Sequence, residues 1–363
     1  MSPRLLIYGA TGYTGRLVAE EAKTRGPDFA VAGRSADKLA PLARALDVPF
    51  IVFDVAEAGA EARVDSAIAG AQVVLNCAGP YAGTAEPLMR ACVRVRESTT
   101  TTATGDEEGN RDYGPHYLDV SAELDTYALL AADTTALAAD AEKAGVMLMP
   151  GCGGSAAVLG CFASQVVGRV SRPVQSMEIV LHAAGSMSRG SALSAAQGVT
   201  GQEGVWQRRE GRLVPVDDED GAGVSVFDFC DGRGPVPCLP VTLPDLITTW
   251  KATGVGNIKT FLNLTGDGFP NGDASSLPDG PSAEERQANP YHAAIRVTGS
   301  DGSVRTAALH TINGYTFTSI AAVEAARRVL AGEARPGFAT PVEVFGNTFI
   351  EKAIRDTKII DLS

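Results

Sequence analysis

The sequence RLLIYGATGYTG, residues 4–15, sets the architecture of the chain. Its short apolar run stops abruptly at Gly9, and a helical pattern follows from about Tyr13 to Arg25. In the GxxGxxG spacing, Gly9 allows a sharp turn, Gly12 lets a pyrophosphate approach the backbone, and Gly15 lets the helix pack closely on the strand. The helix N-terminus then offers N–H groups and a positive dipole end to phosphates. The motif predicts a dinucleotide site made of Gly9, Ala10, Thr11, Gly12, Tyr13, Thr14 and Gly15.

Apolar runs and helical patterns alternate through the rest of the first 150 residues. The further apolar runs are 29–34, 49–55, 71–79, 116–120 and 145–151, and the clearest helical patterns are 35–46 and 125–144. This alternation predicts an α/β fold whose parallel sheet is covered on both faces, which is a Rossmann domain over residues 1–150. The polar, Thr-rich stretch 97–112 lacks periodicity and is predicted to be an exposed loop.

The second half of the chain has a different pattern of apolar runs and loops. Strand-like runs at 174–185, 239–243 and 257–264 are separated by loops at 217–237 and 266–290, and a hairpin with an Asp-Gly turn is predicted over 291–314. A helix is predicted over 317–331. These patterns predict an α+β substrate or dimerisation domain, residues 151–315, with a mainly antiparallel sheet. The apolar stretch 146–168 is interrupted by Pro and Gly, which favours a strand, a turn and a buried helix over a membrane span.

Composition excludes several classes of protein. A net charge of −12 over 363 residues argues against binding to nucleic acid. The six cysteines are irregularly spaced without a CxxC pair, and residues 1–9 are too short for the apolar region of a secretory signal, so a reducing, cytoplasmic location is expected. A homodimer and contact with a lipid surface both remain open, the second as the less favoured alternative.

Two further segments indicate which dinucleotide binds. The second strand ends in Ala32-Gly33-Arg34-Ser35, so no carboxylate is present to repel a 2′-phosphate, and Arg34 can bind one bidentately. NADP(H) is therefore predicted, with Arg34 and Ser35 at the 2′-phosphate. Asp54 either contacts the adenine edge or caps a helix. The turn after the fourth strand, formed by Cys77, Ala78, Gly79 and Pro80, is expected near the ribose and nicotinamide.

Taken together, GATGYTG, AGR, NCAGPY and HYLDVSAE resemble the saccharopine dehydrogenase-like oxidoreductases, which include saccharopine reductases and trans-acting enoyl reductases. The resemblance continues in SRGSALSA (188–195), NGYTFTS (313–319) and LAGEARPGFATP (330–341). It implies a Rossmann domain, a substrate domain, and a C-terminal segment, residues 316–363, that packs back on the Rossmann domain. The sequence departs from the family at 97–112 and at the turn 150–160, where the usual GFDSVPSD-like pattern is missing.

Hydride transfer needs a proton donor or an anion-stabilising group near the cofactor. The predicted catalytic candidates are Tyr81, Tyr117, Asp119 and Glu123. Ser188 and Arg189 are the predicted substrate-binding residues, with Arg189 able to hold a carboxylate. Each also has a structural interpretation: packed aromatics for the tyrosines and helix caps for the acids. His182 lies on an apolar strand and is predicted to be a core histidine with its polar atoms satisfied, and His116, His292 and His310 lack metal-ligand spacing, so no metal is predicted. No Tyr-x-x-x-Lys, GxSxG or HExxH motif occurs.

The resulting hypothesis is an NADPH-dependent oxidoreductase that reduces a C=N or conjugated C=C bond of a small metabolite. The alternative is a sensor or scaffold protein that binds NADP(H) without turnover. One version of this alternative places the protein on a lipid surface.

Overall fold

A computed structural model describes residues 3–102, 114–131, 136–170, 173–198, 204–216, 223–266, 277 and 279–362. The chain divides into two compact units, each made of several segments. The first unit consists of Met1–Ser121, Asp125–Gly153 and Thr318–Ala339, and the second of Ala122–Leu124, Gly154–Phe317 and Thr340–Ser363.

The first unit is a parallel sheet with helices between its strands. Its strands are β1 (Leu5–Tyr8), β2 (Phe29–Gly33), β3 (Phe50–Val52), β4 (Val73–Asn76), β5 (His116–Asp119), β6 (Met147–Met149) and β15 (Gly337–Phe338). Its helices are α1 (Tyr13–Arg25), α2 (Ala36–Leu46), α3 (Glu61–Ile68), α4 (Ala85–Thr102), α5 (Leu124–Ala131) and α6 (Leu137–Ala144), and α11 (Gly314–Leu330) contributes from residue 318. In the described residues the strand order is β15-β6-β5-β4-β1-β2-β3, so the predicted Rossmann topology is confirmed.

Continuous burial explains why these strands could be found from sequence. Every residue of β1, β2, β4 and β6 is buried, as expected for strands covered on both faces. The edge strand β3 instead alternates between exposed and half-buried positions.

Two local predictions in this unit were wrong. The predicted loop at 97–112 begins as helix, because α4 runs on to Thr102, and the hydroxyls of Ser98 and Thr99 donate back to the carbonyls of Val95 and Arg96. Residues 103–113 of that loop lie outside the described residues. The helix predicted over 125–144 is two helices, α5 and α6.

The second unit is built on a mixed sheet. Its strands are β7 (Val174–Ala184), β8 (Trp206–Arg209), β9 (Arg212–Pro215), β10 (Ser225–Phe227), β11 (Val236–Pro240), β12 (Ile258–Thr265), β13 (Tyr291–Gly299), β14 (Val304–Thr311) and β16 (Lys358–Asp361). Its helices are α7 (Gly154–Val167), α8 (Arg189–Gly198), α9 (Asp245–Thr253), α10 (Ala283–Ala288), α12 (Pro341–Phe345) and α13 (Phe349–Ala353). Among the described strands of this unit, only β12 and β7 pair in parallel, so the predicted mainly antiparallel sheet is confirmed.

Several elements of this unit were not predicted. Strand β10 and the start of β11 lie in the predicted loop 217–237, and α10 lies in the predicted loop 266–290. The hairpin over 291–314 is present, with β13 antiparallel to β14.

The C-terminal segment 316–363 is divided between the two units, whereas the resemblance implied that all of it packs on the Rossmann domain. Strand β15 pairs with β6, which places residues 318–339 in the first unit. Strand β16 pairs with β14 and extends the sheet of the second unit.

The apolar stretch 146–168 forms β6, a turn and α7, as predicted. Eleven of the fourteen residues of α7 are buried, which explains its apolar composition. In the part of the chain that the structure describes, no helix is both long and apolar enough to cross a membrane.

Asp245, the first residue of α9, is an unusual buried acid. Its side chain is fully buried, and neither carboxylate oxygen has a hydrogen-bond partner among the described residues. Because burial disfavours the charged form, the pKa of Asp245 is raised to about 7.

This acid predicts a pH-dependent stability. Since the folded-state pKa of Asp245 exceeds its unfolded value, its contribution to folding is lost as the pH rises through about 7. The side chain of Asp245→Asn cannot ionise. The unfolding free energy of this variant minus that of wild type should therefore increase by at most about 4 kcal/mol between pH 4 and pH 8. Urea unfolding at both pH values measures this, with the exposed Asp28→Asn as control. Parallel pH profiles for wild type and Asp245→Asn would contradict it.

Candidate functional site

The glycine turn after β1 holds three elements of the first unit at close approach. Gly9 adopts the left-handed region with φ +79°, and a Cβ there would lie 2.6 Å from the backbone nitrogen of Ala78. A Cβ on Gly15 would lie 2.2 Å from the carbonyl oxygen of Gly9, so neither position tolerates a side chain. At Gly12 the nearest atom to such a Cβ is 3.4 Å away. Gly9 and Gly15 therefore serve packing, whereas Gly12 keeps the turn open on its outer side.

The start of α1 suits a pyrophosphate. Gly12 is the N-cap residue, extended at φ −73° and ψ 167°, and among the described groups no side chain caps the helix through it. The first turn of α1, which begins with Tyr13 and Thr14, carries no acidic residue. The turn is anchored on β2, since the backbone N–H groups of Gly9 and Ala10 donate to the carbonyl of Ala32. A helix N-terminus of this kind binds anions through its backbone N–H groups, so the residues present fit a dinucleotide. The carbonyl oxygen of Thr11 accepts from Arg16 Nε at 3.2 Å.

The end of β2 presents the arginine predicted to bind the 2′-phosphate. Arg34 is exposed and forms no ion pair with the described residues, and Ser35 is the N-cap of α2 without a side-chain cap bond there. The Asp54 carboxylate accepts from the backbone N–H of Ala56 at 3.0 Å, and α3 begins only at Glu61, so Asp54 forms a turn and caps no helix.

A set of hydrogen bonds centred on Asn76 shapes the turn after β4. Its Oδ1 accepts from the N–H of Ala78 at 2.9 Å, and its Nδ2 donates to Thr84 Oγ1 at 3.1 Å. Thr84 Oγ1 in turn donates to the Ala78 carbonyl at 2.6 Å. The turn contains buried Cys77 and a cis Gly79–Pro80 bond, and a 3-10 turn over Tyr81–Gly83 follows.

The same asparagine continues the network to the neighbouring strand. Asn76 Nδ2 donates to Tyr117 Oη at 3.1 Å, and Tyr117 Oη donates to Asp119 Oδ2 at 2.8 Å. Asp119 Oδ1 accepts from Ser121 N, Ser121 Oγ and Gly151 N at 2.7–2.9 Å. These contacts connect the carboxyl ends of β4, β5 and β6 through one buried chain of polar groups.

Burial dominates the electrostatics of this network. It raises the pKa of Tyr117 well above its usual value, with nearby Asp119 adding to the effect. Burial also raises the pKa of Asp119, and the hydrogen bonds from Ser121, Gly151 and Tyr117 partly offset this rise. The thiols of Cys77 and Cys152 have raised pKa values for the same reason, so both are protonated near neutral pH.

The predicted catalytic residues divide into two groups. Tyr117 and Asp119 are fully buried and paired with each other, an arrangement that suits a structural role. Tyr81 and Glu123 each keep 7% of their surface exposed. Sequence reasoning overlooked Asn76 and Thr84 as members of the network, although Asn76 lies in the motif NCAGPY.

The predicted substrate residues belong to the second unit and are paired there. Ser188 is buried, its N–H donates to Tyr315 Oη at 2.7 Å, and its hydroxyl donates to Ser191 Oγ at 3.0 Å. The guanidinium of Arg189 donates twice to the carbonyl of Leu277 and lies 3.5 Å from the carboxylate of Asp279. A substrate carboxylate would compete with these contacts, and its binding by Arg189 stays a prediction.

A family model matches the N-terminal part of the first unit. Residues 5–149 match the family model "Saccharopine dehydrogenase NADP binding domain". This part of the chain is similar to that family of domains. The match supports NADP(H) as the cofactor and confirms the resemblance found in the motifs.

Curated relatives match part of the chain. The human saccharopine dehydrogenase-like oxidoreductase is 34% identical over 108 residues, which is 24% of each chain. A trans-acting enoyl reductase of Mycobacterium tuberculosis is 32% identical over 146 residues, 36% of this chain and 30% of that protein. The match thus spans about a quarter to a third of the length of these relatives.

A solved structure extends the similarity of fold to the whole chain. Apo saccharopine dehydrogenase (L-Glu forming) from Saccharomyces cerevisiae aligns with a TM-score of 0.63 over 99% of this chain and 100% of its own. Its sequence identity of 14% limits this likeness to the fold.

The glycine turn predicts a contrast between two substitutions. Gly12→Ala should weaken NADPH binding about tenfold or more, because its methyl group occupies the approach to the pyrophosphate, while costing at most about 1 kcal/mol of stability at the N-cap. Gly15→Ala should instead destabilise the fold, because its Cβ would overlap the Gly9 carbonyl. Fluorescence titration with NADPH and urea unfolding separate the two effects. Gly168→Ala, whose Cβ would also meet a backbone oxygen at 3.4 Å, is the matched control. Unchanged NADPH affinity in Gly12→Ala would refute the assignment.

The Asn76 network predicts a loss of stability on removing one hydroxyl. Tyr117→Phe deprives both Asn76 and Asp119 of a partner and should cost about 1–3 kcal/mol of unfolding free energy. Tyr127→Phe is the matched control, because that buried hydroxyl donates to the Ser121 carbonyl and should cost about 1 kcal/mol. A Tyr117→Phe protein as stable as wild type would contradict the structural role.

Proposed function

We propose that the chain is an NADPH-dependent reductase of a C=N or conjugated C=C bond in a small metabolite. The observation that carries this proposal is the order of features along one edge of the parallel sheet. The cis-proline turn follows β4, the glycine turn follows β1, and the exposed Arg34 follows β2, and these three strands are direct neighbours. The carboxyl edge of a Rossmann sheet is where a dinucleotide binds across several strands.

When bound, NADPH supplies the hydride. The residues of this chain have to hold the cofactor, exclude water and deliver a proton. The glycine turn and the start of α1 bind the pyrophosphate, and Arg34 binds the 2′-phosphate. The turn Cys77–Pro80 borders the nicotinamide end with protonated and uncharged groups, which provides an environment of low polarity for hydride transfer.

Tyr81 is the proposed proton donor within the first unit. It follows the cis-proline turn directly, and its side chain retains some exposure, whereas Tyr117 and Asp119 have none. Tyr117 and Asp119 act as positioning residues, because they fix Asn76 and through it the turn that carries Tyr81. The role of Glu123 as an acid stays a prediction.

Cofactor preference tests the first half of the proposal. Arg34→Ala should lower NADPH affinity about 10–100-fold and leave NADH affinity nearly unchanged, because charge-assisted contacts to the 2′-phosphate are lost. Fluorescence titration with both nucleotides measures the ratio. Arg44→Ala, which removes an exposed arginine from the last turn of α2, is the control. Equal losses for both nucleotides would argue against a 2′-phosphate contact.

Measurements of NADPH oxidation test the second half of the proposal, the reduction of a C=N or conjugated C=C bond. NADPH oxidation should be saturable with at least one member of a panel of cyclic imines and conjugated enoyl compounds. Tyr81→Phe should then lower kcat about 10²–10⁴-fold with little change in NADPH affinity, and the limb of the pH profile that reports the acid should disappear. An unaltered kcat and pH profile in Tyr81→Phe would assign the proton donor elsewhere.

One observation favours the second candidate function, NADP(H) binding without turnover. Two of the four predicted catalytic side chains are fully buried and satisfied by protein groups. If NADPH binds tightly and no member of either panel is reduced, a sensor or scaffold is the better description. The lipid-associated version stays a prediction, and one of the two features behind it, the apolar stretch 146–168, is largely buried in β6 and α7.

A further inference from the structure

Three of the four histidines lie side by side on the sheet of the second unit. His182 on β7, His292 on β13 and His310 on β14 occupy paired positions of neighbouring antiparallel strands. The rings of His182 and His292 are stacked with centroids 5.6 Å apart, and those of His292 and His310 meet edge to face at 4.4 Å. Residues far apart in the sequence thus form one row of imidazoles.

A tight loop between β10 and β11 lies against this row. His310 Nε2 is 2.6 Å from the carbonyl oxygen of Phe229, and the ring centroid of Phe229 is 5.3 Å from that of His182. Cys230 adopts φ +56°, and its N–H donates to the Asp228 carboxylate at 2.8 Å, which tightens the turn. The loop thereby brings the Asp231 carboxylate to the histidines.

Two imidazole nitrogens in this cluster are buried without a partner. Nδ1 of His182 and Nδ1 of His292 form no hydrogen bond with the described residues, and the two side chains are only 4% and 9% exposed. Such groups are uncommon, because burying a polar atom without a partner costs free energy. A ligand that accepts the imidazole lone pairs would explain both.

One nitrogen of His182, one nitrogen of His292 and one carboxylate oxygen of Asp231 all lie within 4.8 Å of one another. We propose that these three side chains bind a divalent first-row transition ion of the Zn²⁺ type. Around a tetrahedral Zn²⁺, nitrogen and oxygen ligands at about 2.0–2.2 Å from the ion lie about 3.3–3.6 Å from one another, so side-chain rotations have to shorten a separation of 4.8 Å by roughly 1.2–1.5 Å. Three protein ligands leave the remaining position to water or another small ligand.

A hydrogen bond at the far side of one ring supports the assignment. His182 Nε2 lies 3.0 Å from Thr265 Oγ1, which leaves Nδ1 as the nitrogen available to an ion. Metal-binding histidines commonly donate their second ring N–H to an oxygen in this way, which fixes the tautomer and the ring orientation.

Arg233 places a positive charge next to the proposed metal site, where it would repel a bound cation. Its guanidinium donates to Asp231 Oδ2 at 2.6–2.7 Å, and its side chain is 35% exposed. The same guanidinium beside imidazoles also resembles a site for a small anion. The two alternatives respond oppositely to loss of the arginine, because its charge repels a cation and attracts an anion.

The experiment uses the full chain without a polyhistidine tag, dialysed against EDTA and titrated with Co²⁺ while visible absorption is recorded. We expect one equivalent to bind, with Zn²⁺ displacing it. His182→Gln and His292→Gln should abolish stoichiometric binding, and Thr265→Val should weaken it about 10–100-fold. His116→Gln is the matched control, since this histidine lies in the first unit and its Nδ1 accepts from the N–H of Met147.

Arg233→Gln supplies a test that does not depend on a core substitution. It should tighten Co²⁺ binding about tenfold, because a nearby positive charge is removed. Absence of stoichiometric Co²⁺ binding, or equal binding by wild type and His182→Gln, would overturn the proposal. It would be overturned as well if Arg233→Gln weakened Co²⁺ binding, or if inorganic phosphate raised the Tm of Co²⁺-free wild type but not of Arg233→Gln, since the site would then be one for anions.

Discussion

The first unit depends on how closely α1 crosses β1. A Cβ at Gly15 would lie 2.2 Å from the Gly9 carbonyl, and a Cβ at Gly9 would lie 2.6 Å from the backbone of Ala78. These approaches fix β1, α1 and the turn after β4 relative to one another with no side chain between them. Because a helix N-terminus binds phosphate through backbone N–H groups, the proposed pyrophosphate site needs few side chains.

The polar network around Asn76 fixes the positions of β4, β5 and the turn after β6, as the glycines fix β1, α1 and the turn after β4. A buried asparagine, tyrosine and aspartate are costly unless every group is paired, and here Asn76, Tyr117 and Asp119 satisfy one another and the backbone. The network therefore specifies one arrangement of the backbone at the carboxyl ends of β4, β5 and β6. Hydrogen bonds also involve other residues of the motif HYLDVSAE: His116, its first residue, accepts from the N–H of Met147, and Ser121, its sixth, donates to Asp119.

Sequence reasoning recovered the features that depend on local pattern. Continuous apolar runs and the GxxGxxG turn predicted the parallel sheet, and the Asp-Gly turn predicted the hairpin of β13 and β14. It failed where distant residues decide the outcome. Residues 98–102 were predicted as loop from their Thr-rich sequence, yet they continue a helix that begins at Ala85. The role of Tyr117 likewise depends on Asn76, a residue 41 positions away.

The histidines show the same limit most clearly. Metal-ligand spacing is a signal of ligands on one helix or one turn, so His182 and His292 on different strands give no such signal. Their proximity follows from the register of β7 and β13, which places them directly opposite each other. A β-sheet can thus assemble a ligand set from residues of any separation along the chain, provided the register is fixed by the buried faces. The apolar packing of the second unit is therefore what determines whether these imidazoles meet.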